Sequence, residues 1–362
     1  MAIFSQMEDK RRTQKGNFKH ELLDIIFLVV SGTVSSCNDW ESIEVFGESQ
    51  LEWLRKYYPF KNGIPSHDTI NRVFSSLDPK LFGQYFIEWT QEICKLSEGD
   101  LVAIDGKTIR RSYDKKAGKS AIHMVSAYAE KNKICLGQIR TSEKSNEITA
   151  IPELIDLLYL KGATVSIDAM GCQKEIVEAI RSKEADYLIA VKNNQKSLYE
   201  EIENLFVVTK PSSEDVSYNI DHGRSKIRKC QLINDLVFLD ERKNWKDLNG
   251  VIKVSTETTD KSSKKMRTET RYYITSSKLQ AEKLNAMIRG HWSVENNLHW
   301  MLDVVFNEDQ SRRRASNSAS NFNMVAKVAL ALIEKVPLKK SKRQRRFKAG
   351  FDPRFREKVL NL

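Results

Sequence analysis

Two aspartates follow two apolar segments of the chain in the same way. Asp105 comes directly after the segment LVAI, and Asp168 comes directly after the segment TVSI. In open α/β sheets the ligand binds at the carboxyl ends of the strands, so both side chains lie where chemistry is expected. Two carboxylates placed close together repel each other, and a shared divalent metal ion offsets that repulsion. The pair therefore predicts a metal site, with a turn-forming role for each aspartate as the alternative.

A third acidic ligand is expected from a helix beside the same sheet edge. Segment 289–312 is the candidate, because Glu295 has the helical spacing that places it on one face with Leu298 and Leu302. A carboxylate on a face that packs against the core needs a partner. The alternatives are a solvated Glu295, or another acid of the same segment as the ligand: Asp303, Glu308 or Asp309.

Other short motifs in the chain do not support a different chemistry. Gly106-Lys107-Thr108 lacks the earlier glycine of a phosphate-binding loop, since Leu101 stands at that position. His291 and His299 are eight residues apart, which is not the spacing of a zinc protease, so packing or DNA contact is their expected role. The sequence contains no GxSxG motif for acyl transfer.

Composition limits the class of protein. The 362 residues correspond to two or three folded units, and 40% hydrophobic with 30% charged residues is typical of a globular protein. The longest apolar stretch, residues 22–30, is too short for a membrane span of about 20 residues. Five scattered cysteines and no secretion signal predict a cytosolic chain with reduced thiols. The net charge of +11, from 59 Lys and Arg against 48 Asp and Glu, favours a polyanionic partner.

The elements that must position the acids change character along the chain. The first 97 residues have helical spacing, and Asn38 or Asp39 is expected to cap one of those helices. From residue 100 the pattern predicts the order β-β-β-α-β-α-β, with strands at 101–104, 121–128, 133–140, 163–167 and 187–191 and helices at 147–160 and 173–181. A polar, mostly antiparallel β-rich insert follows at about 210–276, with strands at 227–233, 251–256 and 268–275, and helical spacing returns at 278–334.

The carboxyl-terminal segment is strongly basic. Seven of the ten residues 339–348 are lysine or arginine, which is typical of a solvated tail that grips phosphates without reading sequence. The alternative is that Phe347, Phe351 and Phe355 dock this segment onto the rest of the protein.

Four motifs give the chain a recognisable family likeness. It closely resembles the insertion-sequence transposases of the H-repeat-associated kind, in the DDE transposase superfamily, through IDGKTIR (104–110), SIDAMGCQ (166–173), AVKNNQ (190–195) and HWSVENNLHWMLDVVFNED (291–309). The likeness covers nearly the whole chain, including PSHDTINRVFSSLDP (65–79). It implies a ribonuclease-H-like catalytic domain.

The resemblance assigns roles to the three acids. Asp105, Asp168 and Glu295 become the catalytic residues and the ligands of Mg²⁺, for which Mn²⁺ could substitute. Related transposases carry a Tyr-Arg-Glu-Lys signature around the last acid, but this chain has Ile288, His291 and Leu302 where Tyr, Arg and Lys would stand. We expect Arg289, His291 or Trp292 to hold the phosphates of the DNA ends instead.

Basic residues beside the motifs are expected to contact the DNA backbone, with a merely solvated loop as the alternative. The predicted DNA contacts are Lys107, Arg110, Arg111, Lys192, Arg289, His291 and Trp292. Residues 64–77 have the size of a recognition helix, with an ordinary packing helix as the alternative.

The resemblance implies a DNA transposase that cuts the ends of its element and joins them to target DNA. The implied partners are double-stranded DNA, as terminal inverted repeats and as target, and a second copy of the chain in the DNA complex. The expected location is the cytoplasm, on the nucleoid when DNA is bound. The alternatives are a ribonuclease-H-like nuclease without strand transfer, or a domesticated, catalytically silent DNA-binding protein.

The predicted fold is therefore α/β, with three parts. An all-helical amino-terminal domain, with DNA binding as a candidate role, spans 1–97. A ribonuclease-H-like catalytic domain of mixed sheet and helices spans 98–336 and carries the β-rich insertion, and a basic tail spans 337–362.

Overall fold

A mixed sheet of nine strands forms the centre of the computed structural model, which describes residues 3–9, 11, 19–113, 118–141, 147–221, 224–260 and 265–362. The order across this sheet is β3-β2-β1-β4-β5-β9-β8-β7-β6. The strands are β1 (Leu101–Ile109), β2 (Ile122–Ala129), β3 (Ile134–Arg140), β4 (Thr164–Ile167), β5 (Asp186–Val191), β6 (Ser213–Asp221), β7 (Arg224–Ile233), β8 (Gly250–Asp260) and β9 (Met266–Thr275).

The first five strands form a mixed unit around β1. Strands β1, β2 and β3 are an antiparallel meander, while β4 and β5 continue the sheet in parallel with β1. The predicted end of the first strand at residue 104 is wrong, because β1 continues to Ile109 along β2. Its pairing with β4 does stop at Ile104, which lies opposite Ile167. Asp105 is therefore inside a strand, at the point where the neighbouring strand ends.

The β-rich insertion extends the same sheet. Strand β9 pairs antiparallel with β5, and β8, β7 and β6 follow it in antiparallel order. The sequence pattern missed β6, whose apolar residues Val216, Tyr218 and Ile220 point into solvent and not into a core. The predicted fold class, a ribonuclease-H-like α/β domain with a β-rich insertion after a helical region, is confirmed.

The amino-terminal region is helical, and the described residues before Leu101 contain no strand. The predicted Asp39 cap forms, because the Asp39 carboxylate accepts the Ser42 N–H at 2.7 Å, and Asp78-Pro79 begins the last of these helices. The helices are α1 (Leu22–Val34), α2 (Trp40–Ser49), α3 (Leu51–Leu54), α4 (His67–Ser76) and α5 (Pro79–Ile93).

The remaining helices cover the sheet and join it to the amino-terminal region. They are α6 (Glu147–Leu157), α7 (Lys174–Ser182), α8 (Lys196–Val208), α9 (Ala281–His291), α10 (Trp300–Val305), α11 (Ser318–Lys335), α12 (Lys342–Phe351) and α13 (Pro353–Leu360). Helix α11 is almost entirely buried and packs on α1, α4, α5 and β3, so a single core extends from the first helices to the sheet. Among the described residues, no helix has both the length and the apolar character needed to cross a membrane.

The expectation of a solvated basic tail is wrong. Residues 342–360 form α12 and α13, which pack on α1 and α11. The Arg346 and Arg356 side chains are 2% and 0% exposed. Arg346 donates to the Thr33 carbonyl at 2.6 Å, while Phe355 is buried and Phe351 is exposed. This segment is held in place by the two buried arginines, of which Arg356 donates to the Gln50 side chain at 2.6 Å, and by only one of the three phenylalanines.

Candidate metal centre

Asp105 and Asp168 occupy equivalent positions on neighbouring strands. Each follows one member of the last β1–β4 residue pair, Ile104 and Ile167. The Asp105 side chain is 28% exposed, whereas Asp168 is exposed at the cleft surface. One oxygen of Asp168 accepts the Met170 N–H at 3.0 Å, which begins a short 3₁₀ turn. The pairing of β1 with β4 therefore places both acids at the same edge of the sheet.

Glu295 approaches the same edge from the helical segment after α9. Residues 295–299 form a π-helical turn between α9 and α10. In this turn Nδ1 of His299 lies 3.1 Å from Oε2 of Glu295 and 3.5 Å from Oδ2 of Asp105. One ligand atom from each of Asp105, Glu295 and His299 lies within 4.8 Å of the others. Wider π turns recur at functional sites, because the extra residue redirects side chains.

The acids create a strongly electronegative site. Burial and, to a smaller extent, the nearby carboxylates of Glu147, Asp168 and Glu295 together raise the pKa of Asp105 to about 7, against the lowering effect of one backbone N–H. Within the described ranges, no lysine or arginine forms an ion pair with Asp105, Asp168 or Glu295. Neighbouring carboxylates repel one another when all are ionised. A bound cation would relieve this repulsion.

His299 is a buried neutral member of this cluster. Burial lowers its pKa to about 3, with the charges of Lys327 and Lys107 acting in the same direction. The Glu295 carboxylate can only accept, so the ring carries its proton on Nδ1 and donates to Glu295. The sequence predicts only a packing or DNA-contact role for His299. The sequence feature that indicates its contact with Glu295 is its position four residues later, on the same helix face.

Glu147 is a second residue that the sequence analysis missed. Its Oε1 lies 2.7 Å from Nε2 of His123, and a Cβ built on Gly106 would lie 2.2 Å from the same oxygen. Position 106 must therefore be glycine for Glu147 to stand beside Asp105. No local pattern marks Glu147, because its place depends on α6 packing back on β2.

The donor set fits a hard divalent cation. Asp105, Asp168 and Glu295 offer carboxylate oxygens, which are the ligands that Mg²⁺ and Mn²⁺ prefer in proteins. The unbalanced negative charge and the raised pKa of Asp105 are what such a cation would relieve. His299 adds a nitrogen close enough either to join the ligands or to hold Glu295 in place.

The alternative third ligands are engaged elsewhere. Asp303 and Glu308 both bind the ammonium group of Lys107, with Glu308 Oε2 at 2.7 Å. Asp309 lies 3.4 Å from Nε of Arg110. Each of these acids already has a cationic partner, so the geometry favours Glu295 as the third acid.

Lys107 lies inside the protein, and its side chain is only 13% exposed. Besides the two carboxylates, it approaches the His299 carbonyl at 3.4 Å. This placement favours an internal role over the predicted contact with DNA. The neighbouring Arg110 and Arg111 are exposed, as a contact with DNA would require.

The acids lie in a cleft of about 1050 Å³ between the sheet edge and the end of α9. Of the predicted DNA contacts, Lys192, His291 and Trp292 line this cleft, and Arg289 is exposed on α9. Nδ1 of His291 lies 2.9 Å from the Ser166 hydroxyl, and burial lowers the pKa of this histidine. Trp292 is 52% exposed, which leaves its ring open to the cleft.

The candidate recognition helix, α4, is occupied by internal contacts. His67 lies 2.6 Å from a Glu44 oxygen, and the Asn71 side chain accepts the indole N–H of Trp40. Ile70, Val73 and Phe74 are buried. These contacts favour the alternative of an ordinary packing helix.

Comparison with known proteins places the whole chain in one group. A family model described as "Transposase DDE domain" matches residues 96–332, and one described as "DDE_Tnp_1-associated" matches residues 1–90. "Putative transposase YncI" of Escherichia coli O157:H7 is 43% identical, covering 96% of this chain and 91% of the relative. "H repeat-associated putative transposase YhhI" of Escherichia coli strain K12 is 42% identical, covering 99% and 97%.

Among solved structures, a piggyBac transposase in a synaptic complex with hairpin DNA aligns with a TM-score of 0.43 at 12% identity. The alignment covers 100% of this chain and 77% of that one. At this score the overlap carries no further argument.

Proposed function

We propose, because the chain belongs to the transposase DDE domain family, that it cuts DNA at the ends of a mobile element and joins those ends to target DNA. The observation that carries the proposal is the position of Asp105 beside Asp168 on adjacent strands, with Glu295 brought to Asp105 by the π turn. Three acids that pair with no lysine or arginine among the described residues, in a wide cleft, support a metal-dependent phosphoryl transfer.

In this proposal Asp105, Asp168 and Glu295 hold Mg²⁺, or Mn²⁺ in its place. Divalent ions held there would supply activation of a water or a 3′-hydroxyl and stabilisation of the leaving 3′-oxygen in an in-line displacement. The protein's own contribution is to fix the acids. The rigid strands position Asp105 and Asp168, and the bond from His299 orients Glu295.

The cleft walls would position the DNA. Lys192 on the cleft wall and the exposed Arg289 on α9 would hold backbone phosphates, and the open ring of Trp292 would stack on a base. Holding the scissile phosphate against fixed groups supplies most of the catalysis in such a reaction, because the chemistry itself needs little else from the protein.

Residues 98–336 would carry the chemistry in this account, and residues 1–97 would support it through the shared core around α11. Joining an element to a target requires both of its ends to be cut and held together. We therefore propose that the chain acts on DNA as at least a dimer, with one metal centre for each end.

The test uses the purified full chain with duplexes that carry the terminal repeats flanking its gene and a supercoiled target plasmid. We expect cut ends and joined products with Mg²⁺, and neither product with EDTA or with Asp105→Asn. The matched control Asp240→Asn changes an exposed acid remote from the cleft and keeps both products.

The rival functions give different results in the same assay. Cut ends without any joined product would identify a nuclease without strand transfer. Binding to the repeats without cutting, in Mg²⁺ and in Mn²⁺, would identify a catalytically silent DNA-binding protein.

A further inference from the structure

Three arginines from three different elements lie together beside the cleft, and one of them, Arg271, lines it. Arg228 is on β7 and Arg271 is on β9, and both strands pair with β8. Arg228 lies opposite Thr256 and Arg271 lies opposite Val254, two residues apart on β8. Because side chains two residues apart point to the same face of a strand, both arginines project from the same face of the sheet.

Helix α9 brings the third arginine to this face. The Asn285 side chain accepts a hydrogen bond from Nε of Arg228 at 2.6 Å, which fixes α9 against β7. Arg289 follows Asn285 by one helical turn and so lies on the same side of α9. The guanidinium of Arg271 lies 5.8 Å from the ring centre of Trp292, just after that helix. Arg271 and Trp292 line the cleft that contains Glu295, so the three arginines lie at its border.

Within the described residues, the positive charge of this group is only partly balanced. Arg271 pairs with Glu269 at 2.7 Å, but Arg228 donates to a neutral amide, and its buried Nη2 has no hydrogen-bond acceptor among the described residues. Arg289 forms no ion pair within the described parts of the chain. Burial lowers the pKa of Arg228, and the charges of Arg289 and Arg271 lower it further. Clustered like charges are costly unless an anion binds between them.

We propose that Arg228, Arg271 and Arg289 form a phosphate-binding site for the DNA strand that leads into the metal centre. The inference rests on the proposed function and adds two residues of the β-rich insertion to the DNA surface. The guanidinium group suits this role, because its planar fork binds phosphate oxygens in pairs. Arg271 lines the cleft together with Trp292 and Glu295, and this position favours a backbone phosphate over a free anion.

The experiment compares double variants of the full chain. Arg271→Gln with Arg289→Gln removes two charges from the site, while Arg228 is kept because it anchors Asn285. The matched control, Arg242→Gln with Lys243→Gln, removes two charges from an exposed turn of the same insertion. Affinity for a labelled random-sequence duplex is measured across a range of KCl concentrations, with Ca²⁺ present so that the acids are occupied without turnover.

We expect the site variant to flatten the slope of log affinity against log salt by about 2 units, since each phosphate contact contributes about 0.9 on duplex DNA. The control should keep the wild-type slope. Arg271→Lys with Arg289→Lys should restore most of the slope, because lysine still binds phosphate as a point charge.

Two results would overturn the inference while leaving the proposed function intact. One is a site variant with the same slope as the control, with or without a lower melting temperature. The other is an unchanged DNA slope in the site variant, combined with a melting temperature that inorganic phosphate raises in the wild-type chain but not in the site variant. That result would assign the site to a free anion. If the wild-type chain binds no duplex at all, the proposed function itself fails.

Discussion

Nδ1 of the buried His299 lies 3.1 Å from the carboxylate of Glu295, within a single π-helical turn. The ring is neutral, because burial lowers its pKa to about 3, so it donates its one proton to that carboxylate. Asp105 lies 3.5 Å from the same nitrogen. One imidazole therefore connects the acid of the helix to the acid of the sheet and sets the geometry of the proposed metal site.

Replacing His299 should weaken metal use without removing it. Loss of a group that orients a ligand typically lowers metal affinity or activity by about 10- to 100-fold. We expect His299→Ala to need a correspondingly higher Mg²⁺ concentration for half-maximal cleavage. His67→Ala, at a surface histidine of α4, is the control and should leave the Mg²⁺ requirement unchanged. An unchanged requirement in His299→Ala would remove the orienting role.

In the metal-free protein, the pH dependence of stability should reflect the protonation of Asp105. Its pKa is raised from 3.8 to about 7, so the folded state keeps a proton that the unfolded state has released. The free energy of unfolding should therefore fall as pH rises between these values, and stay level above them. We expect Asp105→Asn to be more stable than wild type in EDTA at about pH 8, with a smaller difference near pH 5.

Thermal unfolding in EDTA across that pH range makes the measurement, with Asp240→Asn as the exposed control. The raised pKa of Asp105 is contradicted if Asp105→Asn is less stable than wild type in EDTA at about pH 8.

Variants of Lys107 and Arg111 should distinguish a residue with an internal role from one that contacts DNA. Lys107 holds Asp303 and Glu308, so Lys107→Gln leaves two partly buried acids unpaired and should cost about 3–5 kcal/mol of stability. In Lys107→Gln, the slope of log DNA affinity against log salt should stay at the wild-type value. Arg111→Gln should show the reverse, with normal stability and a slope lower by about 0.9. Chemical denaturation and the duplex titration measure the two quantities. A lower slope in Lys107→Gln, at unchanged stability, would return Lys107 to the DNA surface.

The carboxyl-terminal helices should behave as part of the core. Arg346 donates to the carbonyls of Thr33 and Val305, which are left without their donor in Arg346→Ala. We expect a loss of about 2–4 kcal/mol in the free energy of unfolding. Arg343→Ala, on the exposed side of the same helix, should change it by less than about 0.5 kcal/mol. Equal losses in the two variants, measured by chemical denaturation, would contradict the structural role of Arg346.

The sequence was most informative where a local pattern reflects burial. The apolar segments before Asp105 and Asp168 predict two core strands, and their similarity predicts that the two acids meet. The insertion was placed correctly as antiparallel, but β6 was missed because its alternating apolar residues face solvent.

The features that could not be predicted depend on contacts between distant parts of the chain. The burial of Arg346 requires the carbonyl of Thr33, more than three hundred residues away, so composition alone indicates a solvated tail. Glu147 reaches Asp105 only because α6 packs back on the sheet. The internal role of Lys107 likewise depends on two acids supplied by a later segment of the chain.

The central claim is that Asp105, Asp168 and Glu295 together hold the divalent ion, and calorimetric titration of the full chain with Mn²⁺ tests it most directly. Glu308→Gln is the control, because Glu308 pairs with Lys107 outside the site. The account predicts that binding is lost in Asp105→Asn, Asp168→Asn and Glu295→Gln and kept in Glu308→Gln. Binding that survives in Glu295→Gln but disappears in Glu308→Gln would contradict it.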